Sequence, residues 1–273
     1  MKKWMGLAAL ICVPGALAAP ELGEPLWETG ELRTPESVLV HTLDGQTVLL
    51  VSEIEGDPTG ADGEGGIALL GADGSMIDQD FVRGLSAPKG MAVHGSALYV
   101  SDIDKLVAID LVTRKIVARY PVADAVFLND VAVDAEGVVY VSDTRTGKVH
   151  RLIDGVIDTY LEGLDGANGL YVDGDALYIG AGPRLLVARA GEVSPVAEGF
   201  GDGIDGVEAL AEGGFIVTCW VGLVYHVSDE GEVTRLRDTR DPQMNTADIG
   251  YDPRTNRLYI PTFFTNSVRA YAL

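Results

Sequence analysis

The chain has 273 residues, 41 of them Asp or Glu against 20 Lys or Arg, for a formal net charge of −21. With 47% hydrophobic and 22% charged residues it has ample material for a packed core, which excludes an intrinsically disordered chain. The acidic excess argues against nucleic acid or an anionic membrane as partner, because phosphate would be repelled. It leaves cations, neutral or cationic small molecules and basic proteins.

Residues 1–18 read as an export signal. Lys2 and Lys3 give a positive start, an apolar run follows, and Ala16-Leu17-Ala18 offers small residues where a signal peptidase cuts. The run is shorter than the ~20 residues of a membrane helix and contains Pro14. Cys12 as a lipoprotein cysteine would want a small residue before it, and Ile11 is bulky. The expectation is cleavage near Ala18 and a periplasmic or secreted protein without a membrane span, acting as a monomer. Losing Lys2 and Lys3 leaves 18 basic residues against 41 acidic ones, a charge of −23. Cys219 is then the only cysteine, so no intramolecular disulfide can form. Inside the apolar run 215–220 it reads as a buried small hydrophobe.

From residue 35 one phrase recurs six times, starting at Pro35, Pro88, Leu128, Ala167, Ile204 and Thr246, at intervals of 37 to 53 residues. Each copy has a polar residue, a short apolar strand, a Gly, Asp or Asn turn and a second, more apolar strand. Several copies continue through a short turn into a third strand, as at 148–152 and 223–227, and a weaker fourth, as at 156–161. Four short strands per unit, with almost no helical periodicity, predict an all-β fold: a six-bladed β-propeller of four antiparallel strands per blade, one domain over residues 19–273. A sandwich would not need six-fold self-similarity, and the period-2 alternation excludes a helical solenoid. Residues 56–66, rich in Gly, Asp and Pro, read as a loop insertion in blade one. Residues 20–33 are expected to add an outer strand to the last blade and close the ring.

One column of the repeat carries the chemistry. The residue just before each first strand is Glu36, Lys89, Asn129, Asn168, Asp205 and Ala247. In a propeller the first strand of each blade is innermost, so these six positions form a ring at one mouth of the central channel. Two carboxylates, Glu36 and Asp205, and two amide oxygens, from Asn129 and Asn168, make a hard-oxygen cage suited to Ca²⁺, Mn²⁺ or Mg²⁺. Without a cation, Glu36 and Asp205 would face each other as like charges and one would hold its proton. The plainer reading is that a channel mouth is polar because it is wet. His41 and His94 fall at the opposite face and His150 and His226 in third strands, so a His/Cys zinc site has no support. Asp44-Gly45, Asp73-Gly74 and Asp154-Gly155 read as turns.

At these residues the chain resembles the SMP-30/gluconolactonase/regucalcin family, six-bladed propellers with one divalent metal on the axis. Pro35-Glu36-Ser37 is similar to that family's first-blade segment, and Leu128-Asn129-Asp130 to its Asn-Asp step. Ala167-Asn168-Gly169-Leu170 is similar to its Asn-Gly-Leu phrase, and Asp205-Gly206 to its Asp-Gly. The resemblance implies Glu36, Asn168 and Asp205 as metal ligands with Asn129 facing both metal and substrate, and Asp205 as general base. Residues 129–148 also resemble NHL-type blades. Two departures stand out. Phe127 occupies the place of an arginine that the family's sugar-acid lactonases carry two residues before the Asn-Asp step. Lys89 enters the ring where a small neutral residue is usual. Beside a metal it would need to reach Asp130, Asp248 or a substrate oxygen; alternatively it replaces the metal and neutralises Glu36 and Asp205 itself.

Two functions follow. The first is a metal-dependent hydrolase of lactones or related esters, with Ca²⁺ the first choice of cation. Asp205 and Lys89 are its catalytic residues, and Asn129, Phe127 and Asp130 its substrate contacts. The second is a binding module that holds a ligand or protein at the same mouth without chemistry. Asp102 and Asp143 lie on that mouth but read first as strand-end residues. Of adjacent Phe263 and Phe264, one should face outward.

Overall fold

A computed structural model describes residues 19–273; the expected export signal, with Cys12, lies outside the described residues. Six four-stranded antiparallel sheets form the six blades. Blades one to five run consecutively from inner to outer strand, starting with Pro35–Leu43, Pro88–His94, Leu128–Val133, Ala167–Asp173 and Ile204–Ala209. Blade six takes Gly250–Asp252, Arg257–Pro261 and Val268–Ala272 from the end of the chain, and its outer strand, Trp27–Thr29, from the beginning. Trp27 pairs with Ala270 and Thr29 with Val268, so the ring is closed by hydrogen bonds between the two ends of the chain. The Trp27 ring lies 5.8 Å from Tyr259, and Leu32 is buried in the adjoining core.

The core is a ring of six interfaces rather than one centre. Alternate residues of a strand point to opposite faces of its sheet. In the second strand of blade one, Gln46–Glu53, Val48 and Leu50 therefore pack towards blade two, while Leu49 and Val51 pack towards blade six. The same division gives one apolar cluster between each neighbouring pair of blades. Fully buried Cys219 belongs to the cluster between blades four and five, and burial pushes its thiol up to about 12, as an inert small hydrophobe requires. Outer strands such as Lys115–Pro121 alternate exposed and half-buried residues, as a sheet edge wetted on one side does. The blade-one insertion connects Gln46–Glu53 to Gly65–Gly71, with Gly65 and Gly66 already in the third strand. No helix among the described residues is long and apolar enough to cross a membrane.

Candidate metal and ligand site at the channel mouth

The ring residues are set by a bulge repeated around the axis. In blades two to five the first inner-strand residue pairs with the end of the second strand: Pro88 with Asp102, Leu128 with Asp143, Ala167 with Ala181, and Ile204 with Cys219. The ladder then slips before pairing resumes. Blade one does the same between Pro35 and Ser37. A bulge leaves its extra residue unpaired and re-aims the side chain; the residues released are Glu36, Lys89, Asn129, Asn168 and Asp205, all 9% exposed or less. Ala247, fully buried, holds the sixth position. Hydroxyls of the second strands brace these bulges. Ser52, Ser142 and Thr218 accept from the backbone N–H of Ser37, Asp130 and Gly206, each at 2.9 Å, and Ser101 donates to the Asn129 carbonyl.

The position after each ring residue is where neighbouring inner strands touch. It is glycine in three blades: a Cβ at Gly90 would stand 2.5 Å from the Asp130 Cα, one at Gly169 2.4 Å from the Asp205 carbonyl oxygen, and one at Gly206 2.7 Å from the Ile249 nitrogen. Between blades one and six the same contact is made by Ser37 Oγ donating to Asp248 Oδ2 at 2.6 Å. Gly90→Ala is therefore expected to cost about 3 kcal/mol or more, because backbone rather than a flexible side chain must move. Chemical denaturation measures it, and an unchanged midpoint would show that the strands part there freely.

The structure brings Asn168 and Asp205 together: Asn168 Nδ2 donates to Asp205 Oδ1 at 2.6 Å. Three oxygens of the ring are buried without a hydrogen-bond partner, namely Glu36 Oε2, Asn168 Oδ1 and Asp205 Oδ2. Such orphaned acceptors cost about 1–3 kcal/mol each and call for an explanation. Burial, and then the charge of Asp205, push the Glu36 carboxyl well above the usual range, with the Lys89 charge opposing. Burial pushes Asp205 up to about 7 against the Asn168 hydrogen bond and the Lys89 charge. Among the described residues no three His, Cys, Asp or Glu side chains gather as a metal-binding group. A cation at the ring would accordingly have two carboxylates and draw its other oxygens from amides and water.

Asn129 and Lys89 sit differently from that set. Asn129 donates to Thr144 Oγ1 at 3.2 Å. Lys89 does not reach Asp130 or Asp248, and no carboxylate among the described residues lies within ion-pair distance of it. Its ammonium donates to the carbonyls of Ala87 (3.1 Å) and Pro58 (3.2 Å) and stands 4.5 Å over the Phe127 ring. Burial lowers its pKa, with the Glu36 charge opposing. The lysine thus ties the blade-one insertion to the mouth, and it acts on Glu36 and Asp205 through its charge from beyond ion-pair distance. Phe127 is half-buried, with the Arg145 guanidinium 4.7 Å from its ring centre.

Asp130 has both oxygens engaged within the fold. Oδ1 accepts from Val131 N–H and Oδ2 from Leu170 N–H, each at 2.6 Å, joining blades three and four. Asp102 accepts from the N–H groups of Ser86 and Ala87, and Asp143 from those of Val126 and Phe127, so each pins the loop that feeds its own inner strand. Away from the ring the channel widens into a cavity of about 230 Å³, whose polar lining is Ser37, Asp130, Glu208 and Asp248.

Fold and ring together define a six-bladed propeller with an acidic and amide-bearing axial mouth. No family's sequence profile matches the chain, and no characterised protein matches it in sequence. Solved structures do match in shape. A gluconolactonase from Xanthomonas campestris is 18% identical with a TM-score of 0.65, over 89% of this chain and 88% of that one. Virginiamycin B lyase from Staphylococcus aureus is 12% identical with a TM-score of 0.59, over 90% of this chain and 98% of that one. The extracellular domain of a putative hybrid two-component system from B. thetaiotaomicron is 14% identical with a TM-score of 0.61, over 92% of this chain and 39% of that one. At these identities the likeness shows the fold alone.

Proposed function

We propose that this chain is an exported, metal-dependent hydrolase that opens a lactone or related ester at the ring of Glu36, Asn129, Asn168 and Asp205. The observation that carries the reading is the set of three buried, partnerless oxygens contributed by Glu36, Asn168 and Asp205. Their chemistry fits a hard divalent cation, Ca²⁺ first and Mn²⁺ or Mg²⁺ next, with Asn129 beside them. When bound, such a cation supplies Lewis acidity towards a carbonyl oxygen. Asn168 holds the Asp205 carboxylate through Oδ1, so Oδ2, the oxygen also offered to the cation, is the one that would take a proton from water. Phe127, held by Asp143 and flanked by Lys89 and Arg145, makes one wall apolar. Lys89, with two of its three N–H bonds committed to carbonyls, has one left for a substrate oxygen. The gluconolactonase likeness and the resemblance of the four ring phrases support this reading, as residues 1–18 support export.

Elemental analysis of the purified protein tests it first. About one equivalent of calcium, manganese or magnesium per chain is expected, together with lactone hydrolysis that excess chelator removes. Activity unchanged by chelator would overturn the metal-dependent reading. A ligand-binding role without chemistry draws on the exposed aromatic side chains at the same mouth, and predicts ligand-dependent thermal stabilisation with no turnover.

A further inference from the structure

The rim of the mouth on the side of blades five and six is aromatic. Trp220 follows strand Phe215–Cys219, and Phe263 and Phe264 open the 3-10 turn Phe263–Thr265. The three rings meet edge to face, with centroids 5.4 Å (Trp220–Phe263), 5.9 Å (Trp220–Phe264) and 4.7 Å (Phe263–Phe264) apart. Phe263 is buried and packs with Ala247 of the ring, Ala87 and Ile54, so the cluster is continuous with the candidate site. The Trp220 carbonyl accepts from Thr246 N–H and Asn245 Nδ2, which ties the rim to the segment carrying Ala247.

One feature separates this cluster from ordinary packing. Trp220, 38% exposed, and Phe264, 64% exposed, are the only exposed aromatic side chains among the described residues, and they touch each other. The left-handed backbone of Phe263 (φ of +49°) belongs to the repeat, since Glu55 (+45°), Ile103 (+61°) and Gly182 (+54°) follow the second strands of blades one, two and four in the same conformation. At the blade-three side the rim is Phe127.

We infer that the ligand of this mouth carries a flat apolar group, an aromatic ring attached to the reacting carbonyl group or its leaving oxygen, which lies against Trp220 and Phe264. The inference rests on the mouth being the ligand site, as proposed above. In the reaction, water oxygen forms the new bond to the carbonyl carbon, the bond from that carbon to the leaving oxygen breaks, and the leaving oxygen takes the proton that Asp205 removes from the water.

The test uses full-length exported protein with saturating calcium, and dihydrocoumarin, δ-valerolactone and glucono-δ-lactone as probes. In Trp220→Ala/Phe264→Ala, kcat/KM for dihydrocoumarin is expected to fall about tenfold or more, the scale of one lost aromatic contact, and that for δ-valerolactone by less than about twofold. Phe264→Ala alone, at the more exposed position, keeps the comparison meaningful where the double variant melts early. Binding is read separately as quenching of Trp220 fluorescence in Asp205→Asn. Quenching by dihydrocoumarin and not by glucono-δ-lactone, with no turnover of any probe by the parent protein, would sustain the inference while the hydrolase reading fails. Absent quenching, equal losses on all three probes, or a larger loss on the sugar lactone would overturn it.

Discussion

Asp205→Asn is expected to lower kcat for lactone hydrolysis by about a thousandfold or more, the scale of losing a general base together with a charged cation ligand. The substitution keeps the shape of the side chain. Asn168 Nδ2 can still donate to the oxygen that replaces Asp205 Oδ1, so the contact between blades four and five survives. What disappears is the carboxylate oxygen that now has no partner, and half of the negative charge that Glu36 and Asp205 place on the ring. Relieved of that charge, Glu36 ionises more readily, and the metal-free variant should be as stable as the parent or more so. Inactivity with undiminished melting temperature is the signature of a functional rather than a structural residue. More than a tenth of parental turnover remaining in Asp205→Asn would remove Asp205 from the mechanism.

The six-fold phrase was legible in the sequence because each copy repeats both the strand pattern and the polar residue before it. That was enough to place Glu36, Asn168 and Asp205 on one ring and to assign residues 20–33 to ring closure, where Trp27–Thr29 now lies. The bulge that releases these residues was not legible, since a slipped register leaves no mark on composition. Its brace was in view all the same: in four of the six blades the Ser or Thr of Val51-Ser52, Val100-Ser101, Val141-Ser142 and Val217-Thr218 stands one residue before the second strand ends. The glycines at 90, 169 and 206 look like turn residues in a sequence and prove to be points of contact between strands. The anchoring of Lys89 was not legible, because its partners, Pro58 and Phe127, come from an insertion and from the next blade, and no repeat column contains them. The aromatic rim escaped for the same reason, being assembled from the loops of two blades.

The metal-free protein is expected to lose stability as pH rises from 6.5 to 8.5, and calcium should restore more of it at the upper end. Asp205 has its folded-state pKa raised to about 7 and Glu208 to about 8, both chiefly by burial, and Glu36, Asp130 and Asp248 are raised well above the ordinary range. Across the interval between the unfolded and folded values the folded chain holds protons that the unfolded chain has released. Stability therefore falls with rising pH until each folded-state pKa is passed. Three histidines act in the opposite sense but lower down. His41, His150 and His226 are depressed by burial, so they cost stability only as pH drops below about 6.5. For Asp205 the whole effect from pH 4 upward is on the order of 2–4 kcal/mol, and the part expressed between pH 6.5 and 8.5, with Glu208 added, should lower Tm by about 5 °C. A cation needs Glu36 and Asp205 ionised, so its binding releases protons and its stabilisation should grow with pH over the same interval. Glu208 lies along the channel beyond the ring, so Glu208→Gln should flatten part of the metal-free slope without changing the calcium increment. A chelated protein whose Tm holds steady or climbs from pH 6.5 to 8.5, or a calcium increment independent of pH, would mean that the ring carboxylates are not buried together as described.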